Sequence, residues 1–122
     1  MKKTILIIDD SELQRILVQK ILKNKYKTIA VNSGETALEL IANGLCPDLI
    51  LLDLYMSGMS GWEVFAEIKK PPNGLDIPVI IVSGSENEKD KLLAVKAGVF
   101  MYIAKPFKIN ILIENINKAL IK

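Results

Sequence analysis

The sequence predicts an α/β fold: a doubly wound, five-stranded parallel sheet built as (βα)5, with strand order 2-1-3-4-5. Three observations carry this. Five short apolar runs recur, at 5–8, 28–31, 49–52, 79–82 and 101–104, and four of them are almost continuously apolar. Strands covered by helices on both faces read this way, because neither face meets water. Between and after the runs lie stretches whose apolar residues follow helical spacing. The connections are short, and strict strand–helix alternation implies right-handed crossovers into one open sheet.

The elements follow in order. The run 5–8 is the first strand, and helix 11–23 carries Leu13, Ile16, Leu17, Ile21 and Leu22 at helical spacing. Run 28–31 precedes helix 34–42 with Ala37, Leu38 and Ile41. Run 49–52 precedes helix 61–69 with Trp62, Phe65 and Ile68. Run 79–82 precedes helix 86–97 with Leu92, Leu93, Val95 and Ala97, and run 101–104 precedes the isoleucine-rich helix 108–121. Ser11 with Gln14, Ser60 with Glu63 and Ser85 with Glu88 have the spacing at which two side chains cap a helix start reciprocally. Gly44 and Gly98 fall where a left-handed helix end is wanted. Pro71-Pro72 stops the third helix, and Asn73-Gly74 makes a turn. The expectation is one domain over residues 1–122, without repeats or low-complexity tracts.

Composition narrows the function. Sixteen Lys+Arg against 14 Asp+Glu leave a net charge of +2, which gives no electrostatic case for nucleic acid or membrane as partner. The absence of histidine excludes a histidine base or metal ligand. The single cysteine, Cys46, cannot close an internal disulfide and fits a reducing cytoplasm. The apolar stretch of "MKKTILIIDD" is too short for a secretory signal, and no segment reaches the length of a membrane span.

In such sheets ligands bind beyond the carboxyl ends of the strands. Strand one ends in Asp9-Asp10, strand three in Asp53, strand four in Ser83, and strand five runs into Lys105-Pro106. Strand two, at the edge, ends in the uncharged Asn32-Ser33. Three carboxylates, one hydroxyl and one amine therefore converge. An all-oxygen site of this kind suits Mg²⁺, which takes one or two carboxylates, keeps waters and shares phosphate oxygens. Lys105 supplies a point charge for phosphate, and Ser83 a hydrogen bond to a phosphoryl oxygen. An aspartate can itself attack phosphorus to give an acyl phosphate. Trp62 and Phe65 read as core, and Lys89, Lys91 and Lys96 as a solvated helix face.

Asp9-Asp10, Asp53, Ser83 and Lys105-Pro106 together resemble the signature set of the response regulator receiver domain of two-component signalling, a flavodoxin-like fold. The likeness covers essentially the whole chain. "DLYMSGMSG" is similar to the family's segment after its phosphoacceptor, with Gly61 in the glycine place and Ser57 where the family usually has proline. Arg15 after "DDS" is also family-like. The resemblance implies that Asp53 is the phosphoacceptor and that Asp9, Asp10, Asp53 and the backbone carbonyl of Tyr55 hold Mg²⁺. It implies a switch pair in Ser83 and Tyr102, a cis peptide at Lys105-Pro106, and a charge role for Lys105. A histidine kinase or phosphotransfer protein would be the donor. An effector protein would bind the face of helix four, strand five and helix five. With no output domain after the fifth helix, the expectation is a stand-alone, chemotaxis-regulator-like module that catalyses only its own phosphorylation and dephosphorylation. The alternatives are a Mg²⁺-dependent phosphatase with an aspartyl nucleophile and a docking module that takes no phosphate. The adjacent acid pair, in place of D-x-D, and the little chain left for a cap weigh against the phosphatase. The intact acid set weighs against the docking module. A nucleotide-binding domain is weaker still, since no glycine-rich phosphate loop follows strand one.

Overall fold

The structure is a computed structural model and describes residues 2–70, 76–85 and 87–121. Its elements are β1 (Thr4–Ile8), α1 (Glu12–Leu22), β2 (Lys27–Val31), α2 (Gly34–Ala42) and β3 (Leu49–Leu52). They continue with α3 (Gly61–Lys69), β4 (Val79–Ser83), α4 (Glu88–Ala97), β5 (Met101–Ala104) and α5 (Ile109–Leu120). The five strands are parallel and lie in the order β2-β1-β3-β4-β5, as the apolar runs predict.

Alternate strand residues feed two core layers. Ile5, Ile7, Leu49, Leu51, Ile80 and Val82 pack with Val18 and Leu22 of α1 and with Leu112 and Ile116 of α5. Leu6, Ile8, Ile50, Leu52 and Val79 pack on the other face with Ala37 and Ile41 of α2 and with Val64, Phe65 and Ile68 of α3. Because both faces are covered, Ile5–Ile8 and all of β3 are buried, so the runs show no alternation. Each such side chain contributes about 1.5–3 kcal/mol of hydrophobic stabilisation.

Two helices depart from the simple apolar reading. In α1 the buried residues are Val18 and Leu22, four apart, while Leu13, Ile16 and Leu17 are exposed on the neighbouring stripes. In α4 only Asp90 and Ala94 are buried, and Leu92, Leu93 and Val95 face outward. Apolar residues at helical spacing thus mark two exposed faces as well as the core.

The reciprocal capping signal holds in full at one of three places and in half at a second, where the Gln14 side chain does not return a bond. Ser11 Oγ accepts the Gln14 N–H, and Ser60 with Glu63 forms the full reciprocal box. Helix α4 begins later than predicted, at Glu88, with Asn87 as its cap; Asn87 Oδ1 accepts the Lys89 N–H at 2.8 Å. Ser85 is drawn away from the cap by a buried carboxylate described below. Gly98 closes α4 at φ 81°, and Gly44 follows the end of α2 at φ 108°. Pro71, Pro72, Asn73 and Gly74 lie outside the described residues. Among the described residues, no helix is long and apolar enough to cross a membrane.

Candidate functional site

Register places the site. Ile8 pairs with Leu52, so Asp9 and Asp53 leave adjacent strands side by side. Ser83 pairs with Ala104, so Lys105 emerges beside Ser83, and its backbone N–H donates to the Ser83 carbonyl at 2.8 Å. One carboxylate oxygen from each of Asp9, Asp10 and Asp53 lies within 4.8 Å of the other two. Lys105 Nζ stands between the two buried acids, donating to Asp9 Oδ2 at 2.8 Å and to Asp53 Oδ2 at 3.3 Å.

The adjacent acids Asp9 and Asp10 avoid each other by unequal burial. Asp9 is buried, takes Lys105 as counter-ion and accepts the Ser11 N–H at 2.9 Å. Arg15 braces the same turn by donating to the Asp9 carbonyl at 2.8 Å. Asp10 is exposed and accepts the Ser57 N–H at 3.0 Å. That bond needs an N–H, which proline lacks. The Ser57 departure therefore reaches a candidate metal ligand.

Asp53 is raised above the ordinary aspartate pKa. Burial is the main cause, the Asp9 charge adds to it, and Lys105 pulls the other way. Its backbone is held by a close approach from α3: the Gly61 N–H donates to the Leu54 carbonyl at 2.7 Å. A Cβ on Gly61 would sit 2.2 Å from the Asp53 carbonyl oxygen, so a side chain there would push the helix start off the strand end.

Ser83 is fully buried at the end of β4, and its Oγ accepts the Ser85 N–H at 3.3 Å. Tyr102 is half-buried and donates to the Ser85 carbonyl at 2.7 Å. Ser83 and Tyr102 are thereby joined through one residue. The Lys105-Pro106 peptide is cis. Tyr55 lies two residues beyond Asp53, and its hydroxyl donates to Asp90.

Asp90 is the feature the sequence reading missed. It is buried, 6% exposed, in the first turn of α4. It accepts from the Tyr55 hydroxyl, from Ser85 Oγ at 3.0 Å and from Trp62 Nε1 at 3.2 Å. Its carboxyl is held below the ordinary range, chiefly by the Tyr55 hydrogen bond, with Trp62 and Ser85 assisting against burial. The Tyr55 phenol is correspondingly raised, first by its bond to Asp90. In sequence, Asp90 sits between Lys89 and Lys91 and reads as part of a solvated face.

A family model described as "Response regulator receiver domain" matches residues 5–117. A protein of Vibrio cholerae serotype O1, described as "Probable cyclic di-GMP phosphodiesterase", is 40% identical over 109 residues, covering 89% of this chain. The chain spans only 24% of that relative's length. A CheY-like receiver domain protein from Methanospirillum hungatei JF-1 superposes with a TM-score of 0.88 at 26% identity, covering 98% of this chain and 94% of that one. The phosphorylated cyanobacterial phytochrome response regulator RcpA superposes with a TM-score of 0.82 at 32% identity, covering 97% and 91%.

Proposed function

Since this chain belongs to the response regulator receiver domain family, we propose that it is a phosphoacceptor signalling module in which Asp53 takes a phosphoryl group from a histidine kinase or phosphotransfer protein. The observation that carries the reading is the shared lysine: one amine serves two buried carboxylates, with a third carboxylate within 4.8 Å. An Asp53 oxygen attacks phosphorus while the bond to the donor's imidazole nitrogen breaks. The electron pair leaves with that nitrogen, and the product is an acyl phosphate. Lys105 offsets charge on the transferring group.

The donor set fits Mg²⁺, being all oxygen, anionic and partly exposed. Asp9, Asp10, Asp53 and the Tyr55 carbonyl would hold the ion. When bound, Mg²⁺ supplies neutralising charge for the carboxylates and phosphoryl oxygens. The Ser83 hydroxyl then donates to a phosphoryl oxygen. Because Ser83 Oγ holds the Ser85 N–H and Ser85 holds Tyr102, that move reaches β5. Ser83 and Tyr102 thus form the switch pair. The altered surface, α4–β5–α5, binds an effector protein and carries exposed Leu92, Val95, Phe100 and Met101 for the purpose. The module works in the cytoplasm as one domain over residues 1–122. It acts on no substrate beyond its own phosphorylation and dephosphorylation.

The test is intact mass after incubation with Mg²⁺ and a small phosphodonor. The parent should gain one phosphoryl group and Asp53→Asn none. Equal uptake by both would sink the assignment.

A further inference from the structure

A carboxylate beside two others of like charge lowers its energy by turning out into water. Asp10 is exposed and has that freedom, yet one of its oxygens stays within 4.8 Å of oxygens of Asp9 and Asp53. Lys105 is shared by Asp9 and Asp53, and among the described residues Asp10 has no ion pair. What holds Asp10 is a backbone group: the Ser57 N–H donates to Asp10 Oδ2 at 3.0 Å. Among the described residues the Asp10 carboxylate makes no other hydrogen bond, and the exposed Ser57 hydroxyl makes none.

The bond has a consequence for a cation. It ties together the two segments that carry the proposed ligands: Asp9-Asp10 after β1, and Asp53 to the Tyr55 carbonyl after β3. A side chain already fixed has less rotamer freedom to lose when an ion arrives. The N–H is neutral, so it eases the crowding of three carboxylates without adding a positive charge that would repel the ion. Only one Asp10 oxygen is taken, and the other is left for a cation. Fixed geometry matters more for Mg²⁺ than for Ca²⁺, since Mg²⁺ demands a near-ideal octahedron and Ca²⁺ accepts varied arrangements.

We propose that the Ser57 backbone N–H is a positioning group for the cation site: it holds Asp10 beside Asp9 and Asp53, and so raises the affinity for Mg²⁺ and the preference for Mg²⁺ over Ca²⁺. The proposal rests on the reading that these acids hold Mg²⁺. It adds a backbone donor that touches a ligand and not the ion.

The experiment titrates the metal-free protein with Mg²⁺ alone and with Ca²⁺ alone, by calorimetry, in the parent, Ser57→Ala and Ser57→Pro. Alanine removes the hydroxyl and keeps the N–H, whereas proline removes the N–H. Ser57→Ala should bind both ions as the parent does. Ser57→Pro should bind Mg²⁺ about tenfold more weakly, equivalent to about 1.4 kcal/mol, the size of a single hydrogen bond to a charged group. Its loss for Ca²⁺ should be no more than about threefold. A third form, with an ester in place of the peptide bond between Met56 and Ser57, removes the N–H while keeping the serine side chain, and should match Ser57→Pro. If Ser57→Pro fails to fold, the ester form decides. Parent-like or tighter Mg²⁺ binding without the N–H overturns the proposal, as do equal losses for the two ions or a loss in Ser57→Ala as large as in Ser57→Pro. A parent that binds no Mg²⁺ would bring down the reading of the acids as a Mg²⁺ site and this proposal with it. A parent that binds Mg²⁺, with indifferent variants, would bring down the role of the Ser57 N–H alone.

Discussion

Asp53 and Asp90 are both buried carboxylates beside the same two loops, yet burial has opposite consequences for them. Asp53 is 7% exposed and Asp90 is 6% exposed. Asp53 meets a lysine at 3.3 Å that lies closer to Asp9, and a second carboxylate stands alongside. Asp90 meets three neutral donors and, among the described residues, no acid within the cluster. Desolvation therefore wins at Asp53 and raises its pKa, while hydrogen bonding wins at Asp90 and lowers it. Burial alone does not make an acid reactive. An incompletely satisfied carboxylate that shares its cation with a second acid is open to an electrophile, and a fully hydrogen-bonded one is a structural tie.

The strongest way to break this contrast is to remove the cation. Lys105→Met leaves Asp9 and Asp53 facing each other without a counter-ion and takes away charge stabilisation of the transferring group. Phosphoryl uptake should fall about 100-fold or more, read as a mass time course with Mg²⁺ and phosphodonor. Uptake within a few-fold of the parent would mean that the amine does no electrostatic work.

Metal-free melts sharpen the contrast, because the two acids should respond with opposite signs. Asp53→Asn should stabilise by about 1 kcal/mol through relief of crowding and desolvation. Asp90→Ala should destabilise by about 1–2 kcal/mol, since Trp62 and Ser85 lose their acceptor. Their pH windows also differ. The Asp53 pKa is raised on folding, so its penalty begins as pH rises through the unfolded value and is complete above the raised folded one. The Asp90 pKa is lowered, so its contribution is complete above the unfolded value and is lost as pH falls through the lower folded one. Thermal melts across the acid range should show the Asp53→Asn advantage vanishing first on acidification. Shifts of the same sign for both variants would erase the distinction.

The subtlest effect concerns the relay. Ser83→Ala should still accept phosphate, because the chemistry rests on Asp53 and Lys105, but it loses the hydroxyl that holds the Ser85 N–H. NMR shifts across residues 87–121 on adding beryllofluoride should shrink in this variant relative to the parent. A parent-like response would route the switch around Ser83.

The fold was legible because two-faced burial leaves continuous apolar runs, and strict alternation leaves few topologies for them. The acidic cluster was legible because each of its members terminates a strand. Asp90 was not, because its partners Tyr55, Trp62 and Ser85 lie 35, 28 and 5 residues away, and only tertiary packing joins them. Its local context, a lysine on either side, points to solvent. The late start of α4 has the same origin: Ser85 had the spacing of a cap, but the buried carboxylate competes for its hydroxyl, and Asn87 caps instead. Leu13 and Leu92 show the limit of periodicity, which marks an apolar face but not what covers it.

The most direct test is to locate the phosphoryl group chemically. Phosphorylate the parent, reduce the acyl phosphate to the alcohol, digest, and find the altered residue by peptide mass spectrometry. The alcohol should appear at Asp53, with Asp9, Asp10 and Asp90 unmodified. Modification at Asp90, or at Asp9 or Asp10 in place of Asp53, would contradict the division between a reactive and a structural carboxylate.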